Sequence, residues 1–197
     1  LNVMYVVNKN DPPFSMSWQT WKDAVSLGAE FFDGDGNGIY NPVDKNLNRT
    51  WDLNEDMPLL IGDETAWCVF NDGLPSFVRR WQSEPQGIEI RQTLFATNET
   101  NLENVIFIRY SILNTGNVAE VMDSVYFGIW EDADVGDATD DMTGCDTLYQ
   151  SGFYYSNVPD TQYGENPPSF YSTLLQGPVV ETYHNSDTAT INYGQII

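Results

Sequence analysis

The chain has 197 residues and is strongly acidic, with 29 Asp and Glu residues against 8 Lys and Arg residues and a formal net charge of −21 at pH 7. This charge excludes nucleic acid and anionic membrane surfaces as partners, because both are bound through clustered basic side chains. Aromatic residues make up 14% of the chain, so we expect a folded protein whose self-repulsion is relieved by bound cations. No apolar run approaches the ~20 residues of a membrane-spanning helix, and we expect no membrane insertion.

A short helix is predicted near the N-terminus. Trp18, Trp21 and Val25 fall at helical spacing, and Ser17 precedes them as a candidate N-cap. Gly28 follows the last apolar position and is the residue type that commonly ends a helix. We therefore expect one short helix that ends near Gly28.

A long loop is predicted to follow the helix. Residues 30–64 are acidic and rich in Gly and Asn, which is typical of loops, and residues 65–71 then form the first clear strand. We predict an N-terminal segment, 1–64, that carries the helix and the loop, and a β-sandwich segment, 65–197. The two segments are expected to form one compact unit.

Regular β-structure is predicted in short strands. Apolar and polar residues alternate over 88–97 and 105–113, a third apolar run covers 124–130, and shorter candidates lie at 151–156 and 188–193. The apolar positions of the two clearest strands are Ile88, Ile90, Leu94 and Ala96, and Ile106, Ile108, Tyr110 and Ile112. Successive strands joined by turns favour a mainly β fold. We expect an antiparallel β-sandwich, Ig-like or jelly-roll-like, with one short N-terminal helix and long calcium-binding loops.

The long loop contains a twelve-residue calcium-loop pattern, Asp33-Gly-Asp-Gly-Asn-Gly-Ile-Tyr-Asn-Pro-Val-Asp44. Calcium takes six to eight oxygen ligands, and such a loop supplies them from positions 1, 3, 5, 7, 9 and 12. Gly38 at position six permits the sharp turn that this geometry needs. The predicted ligands are Asp33, Asp35, Asn37, the Ile39 carbonyl, Asn41 and Asp44. A solvated turn without an ion is the simpler alternative, but alternating glycines and oxygen-bearing side chains favour calcium.

A second loop of the same length starts at Asp44. Its predicted ligands are Asp44, Asn46, Asn48, the Thr50 carbonyl, Asp52 and Glu55. Arg49 stands where the pattern expects glycine, and a left-handed residue other than glycine costs about 1–2 kcal/mol. We expect a second ion that shares Asp44 with the first. Residues 33–56 would then form a rigid structural cassette rather than a switch, because helices do not flank the loops on both sides.

Another acidic segment covers residues 131–147. Seven carboxylates fall within sixteen residues there, with no basic partner among them. Like charges repel one another in a compact turn, and a bound cation relieves the repulsion. The predicted calcium ligands are Asp132, Asp134 and Asp137, with Asp140, Asp141 and Asp146 completing the site. A solvated acidic face is the alternative.

No catalytic residue set stands out, and we expect no enzyme. The chain has one histidine and lacks the GxSxG and HExxH motifs. Its acids cluster in Gly- and Asn-rich loops, as calcium ligands do, rather than as a pair suited to glycoside hydrolysis. Cys68 and Cys145 allow one disulfide, and whether they pair stays open.

Several stretches resemble a family of secreted proteins. They include Gly28-Ala-Glu-Phe-Phe-Asp-Gly-Asp-Gly-Asn-Gly-Ile-Tyr-Asn-Pro42, Trp67-Cys-Val-Phe-Asn-Asp72, Asp123-Ser-Val-Tyr-Phe-Gly-Ile-Trp130 and Asp132-Ala-Asp-Val-Gly-Asp137. These stretches resemble modules of large secreted proteins, associated with type IX secretion, of the Bacteroidetes and Ignavibacteria lineage. The resemblance implies export to the cell surface or the medium and supports calcium at both acidic segments. It does not imply an enzyme.

These features predict a non-catalytic, calcium-stabilised structural module of an extracellular or cell-surface protein, of which this chain is a mature or partial segment. Calcium is the expected cofactor. Copies of the same chain are the expected partners, in an oligomer or a polymer such as a filament, a tube or a surface coat. The alternative is a glycan-binding or adhesin module of a larger secreted enzyme, in which the aromatic residues between 153 and 183 stack on sugars.

Overall fold

The computed structural model describes residues 3–178 and the backbone of 190–191 and 195–196. Strands account for 29% of the chain and helix for 8%, and the sheets are antiparallel. The predicted mainly β class with one short helix is therefore confirmed, and the sheets are consistent with the predicted β-sandwich. Among the described residues, no helix is long and apolar enough to cross a membrane.

The elements fall into two compact units, Leu1–Val125 and Tyr126–Ile197. The first unit contains β1 (Tyr5–Asn8), α1 (Met16–Ser26), β2 (Phe31–Phe32), β3 (Met57–Pro58), β4 (Glu64–Asn71), a 3-10 turn (Ser76–Val78), β5 (Ile88–Ala96) and β6 (Ile106–Asn114). The second contains β7 (Met142–Asp146), β8 (Ser151–Tyr155), β9 (Ser169–Thr173), β10 (Thr190–Ile191) and β11 (Gln195–Ile196). The predicted boundary at residue 64 does not coincide with this division, because β1 pairs with β4 across it.

Helix α1 begins two residues earlier than predicted and ends where predicted. Ser15, not Ser17, is the N-cap residue, in an extended conformation. The Ser17 hydroxyl instead donates a hydrogen bond to the Asp11 carboxylate at 2.7 Å. Gly28 adopts a left-handed φ of 102°, and its N–H donates to the Val25 carbonyl in the last helical turn. A left-handed glycine just beyond the last turn is a common helix terminator.

The helix packs on one face of a four-stranded sheet. The buried core residues of this unit are Val7, Trp21, Ala24, Ala29, Tyr40 and Trp67. The Trp21 indole N–H donates to the Glu30 carbonyl at 3.0 Å, and the Tyr40 hydroxyl donates to the Trp18 carbonyl at 3.0 Å. Buried polar tips of aromatic residues need such partners. Because Tyr40 belongs to the long acidic loop, it anchors that loop to the core.

The sheet has the strand order β1-β4-β5-β6. Trp67 on β4 pairs with Thr93 on β5, and Leu94 on β5 pairs with Ile108 on β6. The two apolar sets predicted on β5 and β6 therefore lie on the same face of the sheet, as neighbours across the strands. The alternation of residues along each strand was a sound guide to which side chains share a face.

The face that points away from α1 is called the outer face below. Val7 and Trp67 pack against the helix, so the residues that alternate with them define it. The register of the strands places on it Val6, Asn8, Glu64, Ala66, Cys68, Phe70, Ile88, Ile90, Gln92, Leu94, Ala96, Ile106, Ile108, Tyr110, Ile112 and Asn114. Ile106 is 68% exposed and Ile108 is 48% exposed. The apolar pattern that predicted these strands therefore does not lead to full burial.

The second unit contains a three-stranded sheet of order β7-β8-β9. The strand predicted at 151–156 is β8, and β7 is an additional strand inside the predicted acidic loop. The segment 124–130, predicted as a strand, is not one. Ser124 has a left-handed φ of 54°, and the division between the units falls directly after the next residue, so this segment connects rather than pairs. Most of the last predicted strand, 188–193, lies outside the described residues.

Candidate metal centre

A short hairpin brings together the two ends of the segment 33–56. Phe32 on β2 pairs with Met57 on β3. Asp33 follows β2 directly and Asp56 precedes β3 directly. Because paired strands lie only about 5 Å apart, this register sets two carboxylates side by side at the neck of the loop.

Three carboxylates meet at this neck. One oxygen from each of Asp33, Asp35 and Asp56 lies within 4.8 Å of the others. Asp56 is 1% exposed, whereas Asp35 is open to solvent. Calcium binds oxygens at about 2.3–2.6 Å and tolerates ligand oxygens up to roughly 5 Å apart. The spacing of the three carboxylates is therefore compatible with one calcium ion.

The first loop is folded around the carboxylate of its first residue. Asp33 accepts hydrogen bonds from the N–H groups of Asn37 at 3.1 Å and of Gly38 at 2.8 Å. Gly36 and Gly38 have φ values of 71° and 75°, the left-handed region that glycine enters without strain. The Asn37 side-chain oxygen accepts the N–H of Ile39 at 2.6 Å. The alternating glycines thus permit a tight turn that directs oxygens inward.

The second loop repeats this geometry eleven residues later. Asp44 accepts the N–H groups of Asn48 at 3.1 Å and of Arg49 at 2.7 Å, as Asp33 does with the equivalent residues. Leu47 and Arg49 have φ values of 62° and 63°. They occupy the positions of the two left-handed glycines. The second loop therefore adopts the same fold although two residues other than glycine are held in a conformation that costs about 1–2 kcal/mol each.

A buried carboxylate closes the first loop. The Asp56 carboxylate accepts the N–H of Gly34, the second residue of the loop, at 3.1 Å, and the N–H of Asn41, the ninth residue, at 2.7 Å. A side chain at position 34 would collide with the backbone of Glu55, since a Cβ there would lie 2.2 Å from the Glu55 carbonyl oxygen. Gly34 is therefore needed for the close approach of the two chain segments.

A second buried carboxylate closes the second loop in the same way. Glu55 is 0% exposed. Its carboxylate accepts the N–H of Lys45, again the second residue of its loop, at 2.6 Å, and the N–H of Asp52, the ninth residue, at 3.0 Å. The adjacent residues Glu55 and Asp56 thus play equivalent roles in two equivalent loops.

Asp44 is not placed as the predicted closing ligand of the first loop. Both of its carboxylate oxygens face the N–H groups of the second loop, and Asp56 stands beside Asp33 and Asp35 instead. The twelve-residue template does not include Asp56, because this carboxylate comes from the far side of the second loop. The signal in the sequence was the pair Glu55-Asp56, one closing carboxylate for each of two loops.

The other predicted ligands of the second loop surround Asp52. The side-chain amides of Asn46 and Asn48 donate to one Asp52 carboxylate oxygen at 2.7 and 2.9 Å. The Asn48 side-chain oxygen accepts both the N–H and the hydroxyl of Thr50, each at 2.7 Å. The two amides are therefore turned toward Asp52, but Asp44, Asp52 and Glu55 do not form a cluster of three acidic ligand atoms among the described residues.

A lysine neutralises part of the first site. The Lys45 ammonium lies 2.8 Å from an Asp35 carboxylate oxygen and also donates to the Asn54 carbonyl at 2.7 Å. The hydrogen bond from Lys45 holds the pKa of Asp35 below its usual range, which keeps this carboxyl ionised. Burial, and then the nearby charge of Asp56, raise the pKa of the Tyr40 phenol well above its usual value.

The second acidic segment is arranged differently. Asp160 is 4% exposed, and its carboxylate accepts the N–H groups of Asp137, Gln162 and Tyr163 at 2.6–2.7 Å. These bonds, led by the one from Asp137, hold the pKa of Asp160 below its usual range. Asp160 was not predicted, because it lies outside the acidic run.

The six ligands predicted in this segment do not converge. Asp132 and Asp134 are exposed, Asp137 bonds to Thr139, and Asp146 lies on β7, where it accepts N–H groups of the following turn. Asp140 and Asp141 each have one buried carboxylate oxygen without a hydrogen-bond partner. Within residues 3–178, only Asp33, Asp35 and Asp56 form a cluster of three acidic ligand atoms. A metal at the second segment stays a prediction.

The two cysteines are free thiols. Cys68 lies on β4 in the first unit, and Cys145 lies on β7 in the second. Burial raises the pKa of the Cys68 thiol. A thiol with a raised pKa is a poor nucleophile at neutral pH, so Cys68 behaves as a packing residue of the sheet.

Comparison of the chain with protein-family models, with curated proteins and with solved structures finds no significant match. The resemblance to secreted modules therefore stays a prediction from its motifs.

Proposed function

We propose that this chain is a non-catalytic, calcium-stabilised structural module of an extracellular or cell-surface protein, and that it assembles with copies of itself. One observation carries the calcium part. Glu55 and Asp56 are adjacent, fully buried carboxylates, and neither makes an ion pair with a described Lys or Arg residue. Buried charges are costly unless they are paired or bind a metal. A cation in each loop supplies the missing partner.

Calcium suits these loops better than magnesium does. The loops offer carboxylate and amide oxygens of several residues, as at Asp33, Asp35 and Asn37 in the first. Magnesium demands near-ideal octahedral geometry at about 2.0–2.1 Å and usually keeps several waters, whereas calcium accepts six to eight protein oxygens in a flexible arrangement. The ligands of the first ion would be Asp33, Asp35, Asn37 and Asp56. Those of the second would be Asp44, Asn46, Asn48, Asp52 and Glu55.

The role of the ions follows from the position of the loops. The segment 33–56 is tied to the core by the β2–β3 hairpin, by the Tyr40 hydroxyl and by an edge-to-face contact between Phe32 and Trp51 at 5.6 Å. An ion that binds only the folded loops stabilises the whole unit by mass action. The export that the resemblance to secreted modules implies is compatible with this proposal, because extracellular modules work with weak sites of about 10⁻⁴–10⁻³ M at high ambient calcium.

Thermal unfolding tests the calcium part directly. We expect the melting temperature of the full chain to rise by several degrees when 1 mM calcium replaces EGTA, and to change little with 1 mM magnesium. A variant with Asp33→Asn and Asp44→Asn should lose most of this rise, because each loop loses the residue around which it folds. An unchanged melting temperature of the native chain in calcium and in EGTA would refute the proposal.

A glycan-binding or adhesin module is the second candidate, and the aromatic surface of the second unit favours it. Phe153 on β8 stacks on Tyr171 on β9 with ring centroids 5.3 Å apart, and Tyr171 is 61% exposed. Exposed tyrosine rings can stack on sugar faces. A glycan array with the purified chain separates the two functions. Specific binding that is lost in Tyr171→Ala supports the adhesin, and calcium-dependent assembly without sugar binding supports the structural module.

A further inference from the structure

The outer face of the four-stranded sheet is apolar and open. Phe70 is 44% exposed, Val6 is 43% exposed, and Ile106 on the edge strand β6 is 68% exposed. A shallow groove of about 170 Å³ lies toward one end of the sheet, and its lining residues Glu64, Ala66, Leu94, Ala96 and Ile106 belong to the outer face, whereas Phe95 does not. Large apolar patches on protein surfaces usually mark a contact with another molecule.

Charge on this face differs from charge on the rest of the chain. Of the sixteen residues that make up the outer face, only Glu64 carries a charge, and it lies at one end beside Asn8. The chain as a whole has a net charge of −21. Two copies therefore repel each other in most orientations, but they can meet through this face without opposing carboxylates. The distribution of charge thus favours a second copy over any charged partner.

The area of the face is sufficient for such a contact. The two longest strands have nine residues each, about 30 Å at roughly 3.4 Å per residue, and four strands spaced about 4.8 Å apart span about 19 Å. Allowing for the shorter β1, the face covers roughly 500 Å² on each copy, or about 1,000 Å² for a pair. A specific interface needs about 1,000 Å² in total, so the expected dimer is weak and reversible.

We propose that the outer face is the contact between two copies of this chain, packed sheet on sheet. Two sheets that stack face to face lie about 10 Å apart and form a sandwich. The same patch then serves both copies, as in most homodimers, and apolar side chains of β6 on one copy fill the groove on the other. This inference rests on the self-assembly in the proposed function and is independent of its calcium part.

Sedimentation velocity of the full chain tests this contact. In saturating calcium, the native chain should form dimers between 10 and 200 µM, and more strongly at 500 mM than at 50 mM NaCl, because salt screens the repulsion of the two acidic copies. Ile108→Glu should weaken dimerisation by about tenfold or more, since it buries an unpaired charge in the contact. Phe77→Glu is the matched control, because Phe77 is 80% exposed and lies on the 3-10 turn rather than on a strand of the sheet.

The possible outcomes each decide the question. A native chain that stays monomeric at 200 µM in both salts overturns the proposal, as does a dimer that Ile108→Glu and Phe77→Glu affect equally. If Ile108→Glu fails to fold by circular dichroism, Ile106→Glu replaces it, because that side chain is already 68% exposed. The calcium-dependent rise in melting temperature is measured on the same samples. If it persists without a dimer, only the contact is wrong; if it is absent, the calcium proposal fails.

Discussion

Asp56→Asn is the substitution whose effect depends most sharply on calcium. It keeps the size of the side chain and removes one negative charge from the neck of the first loop. Without calcium, the change has two opposing consequences. It relieves the repulsion between Asp56 and Asp33, and it weakens the hydrogen bonds that the carboxylate accepts from Gly34 and Asn41.

The two effects are similar in size. At the 4.8 Å limit of the cluster, two unit charges repel by about 3.5 kcal/mol at an effective dielectric constant of 20 and by about 1 kcal/mol in water. Hydrogen bonds to a charged acceptor contribute about 1.5–3 kcal/mol each, against about 0.5–1.5 kcal/mol for neutral ones. The stability of Asp56→Asn in EGTA should therefore lie within about 2 kcal/mol of that of the native chain.

In calcium, the stability of Asp56→Asn should fall below that of the native chain. With a site of about 10⁻⁴ M, 1 mM calcium stabilises the native chain by about 1.4 kcal/mol. A variant that binds calcium about a hundredfold more weakly gains less than about 0.1 kcal/mol, so it forgoes nearly all of that stabilisation. Urea unfolding in EGTA and in 1 mM calcium measures both differences. Trp51 serves as a fluorescent reporter, because its indole N–H donates to the Glu55 carbonyl at 2.9 Å.

Asp23→Asn is the matched control, since it makes the same chemical change on the exposed side of α1, and it should leave the calcium response unchanged. Equal losses of stability for Asp56→Asn in EGTA and in calcium would refute the reasoning. They would mean that Asp56 only accepts hydrogen bonds from the backbone.

Four further predictions concern neighbouring features. Glu55→Gln should abolish calcium binding in the second loop and leave binding in the first loop intact, so titration calorimetry should show one site fewer per chain. Loss of both sites would show that the two loops do not bind calcium independently. Lys45→Met should tighten calcium binding about twofold to fivefold, because the ammonium competes with calcium for Asp35. The control Lys9→Met breaks a comparable ion pair with Asp63 and should leave the calcium affinity unchanged. Equal calcium affinities of the native chain and the two variants would contradict this prediction. Trp21→Ala should cost about 3–5 kcal/mol of unfolding free energy in EGTA and in calcium alike, as expected for a core residue that is 1% exposed. Because the folded pKa of Asp160 is lowered, its contribution to stability is complete above the unfolded value of about 3.9 and is lost as pH falls through the lower folded value. The melting temperature of Asp160→Asn should therefore fall less steeply than that of the native chain between pH 4 and pH 2, and parallel curves would argue against this role.

The predictable parts of the fold are those with a strong local period. The alternation on β5 and β6 identified both strands and their shared face, and Gly28 marked the end of α1. The segment 124–130 has a similar apolar pattern but forms no strand. Pattern alone does not tell whether a neighbouring strand is available for pairing, since that depends on the division of the chain into units.

The site could be predicted where its residues are close in sequence. The repeat of Asp and Asn at every second position located both loops, and Arg49 at position six is indeed left-handed. Asp56 could not be assigned from the twelve-residue pattern, because its position beside Asp33 depends on the pairing of β2 with β3. In the acidic run 131–147, closeness in sequence was not enough to predict a site. The density of charge predicts a bound cation, but strand β7 interrupts the run, and Asp146 is the last residue of that strand.

The central claim is that calcium holds the segment 33–56 together, and titration calorimetry of the full, calcium-free chain tests it most directly. We expect at least two calcium ions to bind per chain, with one fewer in Asp56→Asn and one fewer in Glu55→Gln. The contradicting result is the absence of binding heat up to 10 mM calcium, or binding that both substitutions leave unchanged.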